Sequence, residues 1–235
     1  MSSLQGKVIA YHLASLGARL SITDSSASGL ETTTTKLTSQ IGAENVLTRT
    51  ADLRERTAVE SWIADTVEHF RRLDGAVNTA GVHPHDSGKE PIWNISDEGW
   101  EFAQEVNVRG ALNVKKDMET GLVMVFGSNA SVRGSKNLAS YTASKHVVLG
   151  VMRADAADAA GFNVRVNAVC PGPIDTPMLR NVVSESGIEA IKGRIPLGKL
   201  GSSKEIVGLV AYLLDDAAGF CTGGVHMVDG GLTIL

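Results

Sequence analysis

Tyr141-Thr142-Ala143-Ser144-Lys145 places a phenol and an ammonium four residues apart, and Ser128 stands thirteen positions before the tyrosine. Residues at that spacing share one face of a helix, so the Lys145 cation can lie beside the Tyr141 hydroxyl. A neighbouring cation stabilises phenolate and lowers the tyrosine pKa from about 10 toward working pH, where proton transfer is most efficient. Ser128 can then donate a hydrogen bond to a substrate oxygen as charge develops on it. These are the parts of an acid–base site for redox chemistry on an alcohol or ketone. Taken alone, Tyr-x-x-x-Lys also describes a solvated helical face, and Ser128 and Thr142 also suit a strand end and a helix start.

Such a site needs elements that bring distant residues to one edge. Short apolar runs alternate with helix-like stretches: Leu20–Thr23, Val46–Thr48, Gly75–Val77, Leu122–Phe126, Val164–Val166 and Val225–Val228 read as strands. That alternation predicts an α/β fold with a doubly wound, mostly parallel sheet. Arg56 to Phe70 carries Val59, Trp62, Ile63, Val67 and Phe70 at helical spacing, as a crossover helix should. Ser96-Asp97-Glu98 reads as a helix start, and Ser202 with Glu205 has capping-box spacing. In such a sheet ligands bind beyond the C-terminal strand ends, where Asp24, Asn78, Ser128 and Pro171 would emerge.

The chain has 235 residues, is 43% hydrophobic and carries a net charge of −4, which suits one domain spanning 1–235. No basic cluster is present to meet phosphates, which argues against nucleic acid as a partner. No apolar run reaches membrane-spanning length and no secretory pattern opens the chain, so a cytoplasmic protein is expected, with no membrane partner. Cys170 and Cys221 are too few for a disulfide scaffold and read as reduced and packed. His83-Pro84-His85-Asp86 lacks further ligands for a metal and reads as a substrate-bordering loop, with Trp93 and 178–191. Asp155 and Asp158, late in the Tyr141 helix, read as tolerated surface.

Several motifs in order make the chain resemble the short-chain dehydrogenase/reductase family from about Arg19 onward. Asn78-Thr79-Ala80-Gly81 is similar to that family's Asn-Asn-Ala-Gly segment, with a threonine in second place. Val106-Asn107-Val108-Arg109-Gly110 resembles the segment carrying the asparagine of the catalytic tetrad. The stretch from Val166 to Pro177 resembles the strand and loop beside the nicotinamide, while Ile195–Gly201 and Val228–Gly231 resemble C-terminal signatures. The resemblance implies a Rossmann-like fold, a nicotinamide cofactor, a small alcohol or ketone substrate, and a homodimer or homotetramer. It assigns catalysis to Asn107, Ser128, Tyr141 and Lys145, with Asn107 positioning a water that links the lysine to solvent. Asn78, Ala80, Gly81, Tyr141, Lys145, Pro171, Gly172, Ile174 and Thr176 would hold the nicotinamide end. Asp52 and Leu53 would contact adenine, although a solvent-facing acid is an equal reading of Asp52.

Asp24 follows the strand after which dinucleotide folds place a carboxylate for the ribose hydroxyls. No arginine follows in Ser25-Ser26-Ala27-Ser28 to accept a ribose phosphate, so NAD is expected over NADP. A strand-ending turn residue is the plainer reading of Asp24.

The resemblance fails where Thr-Gly-x-x-x-Gly-Ile-Gly should hold the pyrophosphate. Here strand-like Val8-Ile9-Ala10 runs directly into helix-like Tyr11-His12-Leu13. A parallel crossover needs a dozen or more residues and Tyr11 to Arg19 offers nine, so first strand and first helix cannot both form normally. The first β-α unit is therefore expected to be incomplete, with cofactor affinity reduced. Residues 111–121 also reach the next strand early, which predicts a helix after Asn107 short by a turn or two and a weakened subunit interface. A second reading is accordingly a family-derived scaffold, interaction subunit or non-redox catalyst without useful nicotinamide binding. The full tetrad favours the enzyme; the missing turn favours the scaffold.

Overall fold

A computed structural model describes residues 4–116 and 122–234. Among them are six strands: β1 (Leu20–Asp24), β2 (Val46–Thr50), β3 (Gly75–Asn78), β4 (Leu122–Phe126), β5 (Arg165–Pro171) and β6 (Val225–Val228). All pairings are parallel, but they fall into two sheets, β1-β2 and β3-β4-β5-β6. Each expected strand is present except one at Val8–Ala10. Those residues lie within helix α1 (Leu4–Ser15), which ends at Gly17 with φ of 89°.

The outcome at the N-terminus follows from chain length. A strand at Val8–Ala10 would leave too few residues for a helix and two turns before β1, whereas a continuous helix satisfies its own backbone. Ile9, Ala10 and Ala14 are buried, at spacings that form one helical face. The helix therefore takes the segment and the sheet loses its joining strand.

The remaining helices are α2 (Ala27–Ile41), α3 (Arg56–Phe70), α4 (Asp97–Gln104), α5 (Gly110–Lys116), α6 (Ala139–Ala159), α7 (Pro177–Arg180), α8 (Glu185–Lys192) and α9 (Ser203–Leu214). In α3, Val59, Ile63 and Phe70 are buried as expected, but Val67 is 44% exposed and Thr66 takes the inward position. Ser96 caps α4, and Ser202 with Glu205 forms the capping box of α9. The described part of the helix after Asn107 ends at Lys116, and 117–121 lie outside the described residues.

Alternation along the strands sorts side chains into two layers. Val166, Ala168 and Cys170 of β5 join Val125, Val148, Leu149 and Met152 on the α3–α6 side. Val169 joins Met124, Phe126, Ile9, Ile206 and Val210 on the α1–α9 side. The sheet that carries Ser128 and Pro171 at its upper edge is thus held from both faces.

Candidate active site

β4 ends at Phe126, and Gly127 then turns the chain so that Ser128 stands at the rim. A Cβ on Gly127 would come within 2.5 Å of the Cys170 Sγ, so only glycine lets β4 pass β5 this closely. The Ser128 hydroxyl accepts from the Ala130 N–H at 3.1 Å and donates to Asn129 Oδ1 at 3.1 Å. The Ser128 side chain also acts on the Tyr141 phenol, in the direction that favours the ionised form. Tyr141 and Lys145 lie in the first turns of α6 on one face, with the Lys145 Nζ 5.8 Å from the centre of the Tyr141 ring. Lys145 is buried and donates to the Phe126 carbonyl at 2.8 Å, which ties α6 to the end of β4.

Asn107 sits where the backbone widens into a π-helical turn over Glu105–Arg109, a local irregularity common at functional sites. Its Oδ1 accepts from the Val82 N–H at 2.8 Å, and its Nδ2 donates to the Val82 carbonyl at 3.2 Å and to Ser144 Oγ at 2.9 Å. The side chain therefore fixes the loop after Gly81. His83, carried by that loop, stacks on Tyr141 and its Nδ1 meets Ser87 Oγ at 3.1 Å.

The electrostatics correct one expectation. Tyr141 has no depressed pKa: loss of water pushes its phenol above the ordinary value, and the Ser128 side chain only partly opposes this. The same burial pulls Lys145 down to about 8, with the nearby Cys170 opposing. His83 falls to about 4, first through burial and then through the Lys145 charge. Desolvation sets the direction of the Tyr141 shift.

On the dinucleotide side, Asp24, Asp52, Leu53, Asn78, Ala80 and Gly81 line one cavity of about 890 Å³. Asn78 Oδ1 accepts from the Ala80 N–H at 3.0 Å, which sets the turn that exposes Gly81. A Cβ on Gly81 would lie 3.2 Å from Lys145 Nζ and 3.4 Å from Asn107 Oδ1, so the glycine keeps that passage open. Asp24 Oδ1 accepts from the Ser26 N–H at 2.8 Å. Asp52, on the lining of the cavity, is paired with Arg54 through Nε and Nη2, at 2.9 and 2.6 Å to Oδ2. Pro171, Gly172, Ile174 and Thr176 lie outside the lining of this cavity. Gly172 passes Asp229, where a Cβ would clash at 2.7 Å; Ile174 is buried; Thr176 caps α7.

The family model described as Enoyl-(Acyl carrier protein) reductase matches residues 4–233. A short-chain dehydrogenase/reductase, aba4 of Botryotinia fuckeliana, is 36% identical over 229 residues, 93% of this chain and 88% of the relative. The chain belongs to the short-chain dehydrogenase/reductase family. Levodione reductase of Leifsonia aquatica is 31% identical over 240 residues, covering 96% of this chain and 89% of its own. A crystal structure of levodione reductase superposes with a TM-score of 0.92, at 30% identity, over 97% of this chain and 93% of that one. An actinorhodin polyketide ketoreductase variant solved with NADPH is 31% identical, with a TM-score of 0.90 over 98% and 93% of the two chains. This short-chain dehydrogenase/reductase is an NAD(P)-dependent oxidoreductase acting on alcohol and carbonyl groups, and the scaffold reading is not favoured.

Two parts of the lining have the chemistry a dinucleotide needs: the Asp24 carboxylate, suited to ribose hydroxyls, and the open backbone passage at Gly81. A glycine-rich turn to receive a pyrophosphate is absent among the described residues, and α1 occupies that part of the chain. The part of α1 that lines the cavity is Ile9, Ala10 and Leu13, from the middle of the helix toward its C-terminal end, where the helix dipole is negative.

Two residues, one beside the site and one farther along α6, escape a reading by residue type. His83 appears as one of two loop histidines, and nothing local says which turns inward. Asp155 is no plain surface acid: it pairs with Lys115 at 3.3 Å, with side chains 14% and 20% exposed.

Proposed function

We propose that this chain reduces a small or medium-sized hydrophobic ketone to a secondary alcohol, and runs the reverse oxidation, with NAD preferred over NADP. The observation that carries the reading is Tyr141 and Lys145 on one face at the start of α6, with Lys145 tied to the end of β4 beside Ser128. When bound, the nicotinamide supplies or accepts the hydride. Asp24 would receive the adenosine ribose hydroxyls, with no arginine after it to favour a ribose phosphate. Asn78, Ala80, Gly81 and Lys145 would hold the nicotinamide ribose, and Pro171, Gly172, Ile174 and Thr176 the ring and its amide. Leu53, beside the Arg54-clamped Asp52, would flank adenine through its side chain.

In reduction, Ser128 Oγ donates to the carbonyl oxygen and Tyr141 Oη passes its proton there as charge builds, while the carbon gains the hydride. In oxidation the same proton returns to Tyr141. Burial keeps the phenol protonated, which favours its use as an acid and hence the reductive direction near neutral pH. Lys145 keeps a cation available near the phenolate left behind. Asn107 holds the loop that borders the substrate. The free cysteines suit a reducing compartment such as the cytoplasm. Trp100, Phe102 and Val147, exposed on α4 and α6, are candidates for contact in a homodimer or homotetramer.

The test is ketone-dependent oxidation of NADH and of NADPH, followed optically for wild type and Tyr141→Phe. We expect turnover with NADH above NADPH, and a loss of about 10²–10⁴-fold on removing the hydroxyl. Turnover that survives Tyr141→Phe would overturn the assignment.

A further inference from the structure

His83 is pinned from both directions along the chain. Before it, Asn107 binds Val82 through its N–H and its carbonyl. After it, the Asp86 carboxylate accepts from the Ser96 N–H and hydroxyl, each at 3.0 Å, and ties the loop to the start of α4. The imidazole stacks on the Tyr141 ring, and its Nδ1 pairs with the hydroxyl of buried Ser87. One ring nitrogen is thus spent on the protein. Nε2 makes no hydrogen bond among the described residues, yet it is not sealed away: the buried side-chain nitrogen and oxygen atoms that lack a partner there are Ser140 Oγ and Thr142 Oγ1. A ring held this firmly, with one reachable nitrogen left over, is preorganised for a ligand.

We infer that His83 Nε2 is a second hydrogen-bonding point for the substrate, and that it selects ketones carrying a hydroxyl on the carbon next to the carbonyl. The inference rests on the proposed use of Tyr141 as proton donor. Rings stacked with centres 3.9 Å apart put Nε2 within about 6 Å of the Tyr141 oxygen. Hydrogen bonds of about 2.8 Å from each then meet two oxygens roughly 3 Å apart, as adjacent carbons carry them. A hydroxyl suits the nitrogen better than a second carbonyl does. If Ser87 donates to Nδ1, Nε2 donates outward; if Nδ1 donates to Ser87, Nε2 accepts; a hydroxyl answers either tautomer. Burial and then the Lys145 charge hold the imidazole down to about 4, so near neutral pH it is an uncharged partner, matched to a hydroxyl and not to a carboxylate or phosphate.

The experiment compares two ketones of one chain length, hexan-3-one and 4-hydroxyhexan-3-one, in NADH-dependent reduction by wild type and His83→Phe. Phenylalanine keeps a stacked face and removes both nitrogens. We expect wild type to favour the hydroxyketone in kcat/KM, chiefly through KM, and His83→Phe to lower that preference by about tenfold. Loosening of the loop on losing the Ser87 bond acts on both ketones alike, and any intrinsic difference in their reactivity is the same for both proteins, so neither moves the ratio. A preference that the replacement leaves unchanged overturns the proposal while the oxidoreductase reading stands. Binding is read separately by nitrogen NMR of the wild-type imidazoles with NAD present: 4-hydroxyhexan-3-one should move the His83 Nε2 resonance and hexan-3-one should not. Absence of turnover with either ketone counts against the oxidoreductase reading, and the resonance then decides the proposal by itself, an unmoved Nε2 overturning it.

Discussion

The imidazole of His83 lies over the phenol of Tyr141, with ring centres 3.9 Å apart and planes 19° from parallel. The contact is built from 25 residues away. Asn107 holds Val82 by both its N–H and its carbonyl, which leaves the next residue little freedom but to face α6. The stack restrains a ring whose hydroxyl must meet Ser128, and it covers one face of that ring from water.

Removing the stack should therefore loosen Tyr141 without removing any proton carrier. His83→Ala is expected to lower kcat by about tenfold, since aromatic pairs contribute roughly 0.5–1.5 kcal/mol. His83→Phe, which keeps an aromatic face, should restore most of it. Steady-state kinetics of the two variants decide the point; equal rates for Ala and wild type would show that the stack is idle.

The same histidine should make the fold sensitive to acid. Its folded pKa of about 4 lies below the ordinary 6.5, so the unfolded chain binds the proton first as pH falls. Stability contributed by the neutral ring is full above pH 6.5 and declines toward pH 4, by at most about 3 kcal/mol. Urea unfolding between pH 7 and 4 should show this slope in wild type and a shallower one in His83→Phe.

Much of this could be read along the chain, for reasons that are local. Parallel strands covered on both faces leave apolar runs, so Leu122–Phe126 and Val225–Val228 announce themselves; Ser96 and Ser202 mark helix starts by capping chemistry alone. Val8-Ile9-Ala10 misleads because a short β-branched run suits a strand as well as a buried helix, and only the length of the following connection decides. Tyr141 and Lys145 share a helix face as their spacing suggests. The sign of the Tyr141 shift does not follow from spacing, since adjacency to Lys145 is sequence information and depth of burial is not. Which of His83 and His85 turns inward depends on Asn107, a partner no local pattern names.

Lys145 carries a stability cost with a defined pH window. Its folded pKa of about 8 lies below the usual 10.5, so stability rises with pH between those values and the penalty is in full force below 8. Lys145→Met should raise Tm at pH 7 by several degrees, given roughly 2–4 °C per kcal/mol for a chain of this size. The gain should fade toward pH 10.5, and turnover should be lost throughout. Thermal melts across that range would refute the account if the variant were the less stable at pH 7.

Gly127→Ala tests the passage between β4 and β5. The new Cβ would meet Cys170 Sγ at 2.5 Å and Ser131 Oγ at 3.0 Å, and Cys170 is fully buried with no room to retreat. Overpacking of this kind costs about 1–3 kcal/mol and should displace Ser128 along with its neighbour. Adding Cys170→Ala makes space for the methyl. The double variant should therefore be more stable than the sum of the two single changes, a coupling that chemical denaturation can measure.

Asn107→Ala asks whether the asparagine acts through the loop it holds. The change strips partners from the Val82 N–H, the Val82 carbonyl and the buried Ser144 hydroxyl, which still donates to the Tyr141 carbonyl at 2.7 Å. Loss of buried partners should cost about 2–3 kcal/mol in stability. A purely structural effect would end there. If Asn107 positions His83, the freed loop lets water reach the imidazole, and its pKa climbs from about 4 toward the ordinary 6.5, visible by NMR titration. Turnover should then fall together with the climb in pKa, because Tyr141 loses the ring that restrains it. A variant with reduced Tm, an unshifted His83 titration and unchanged kcat would leave Asn107 as a packing residue only.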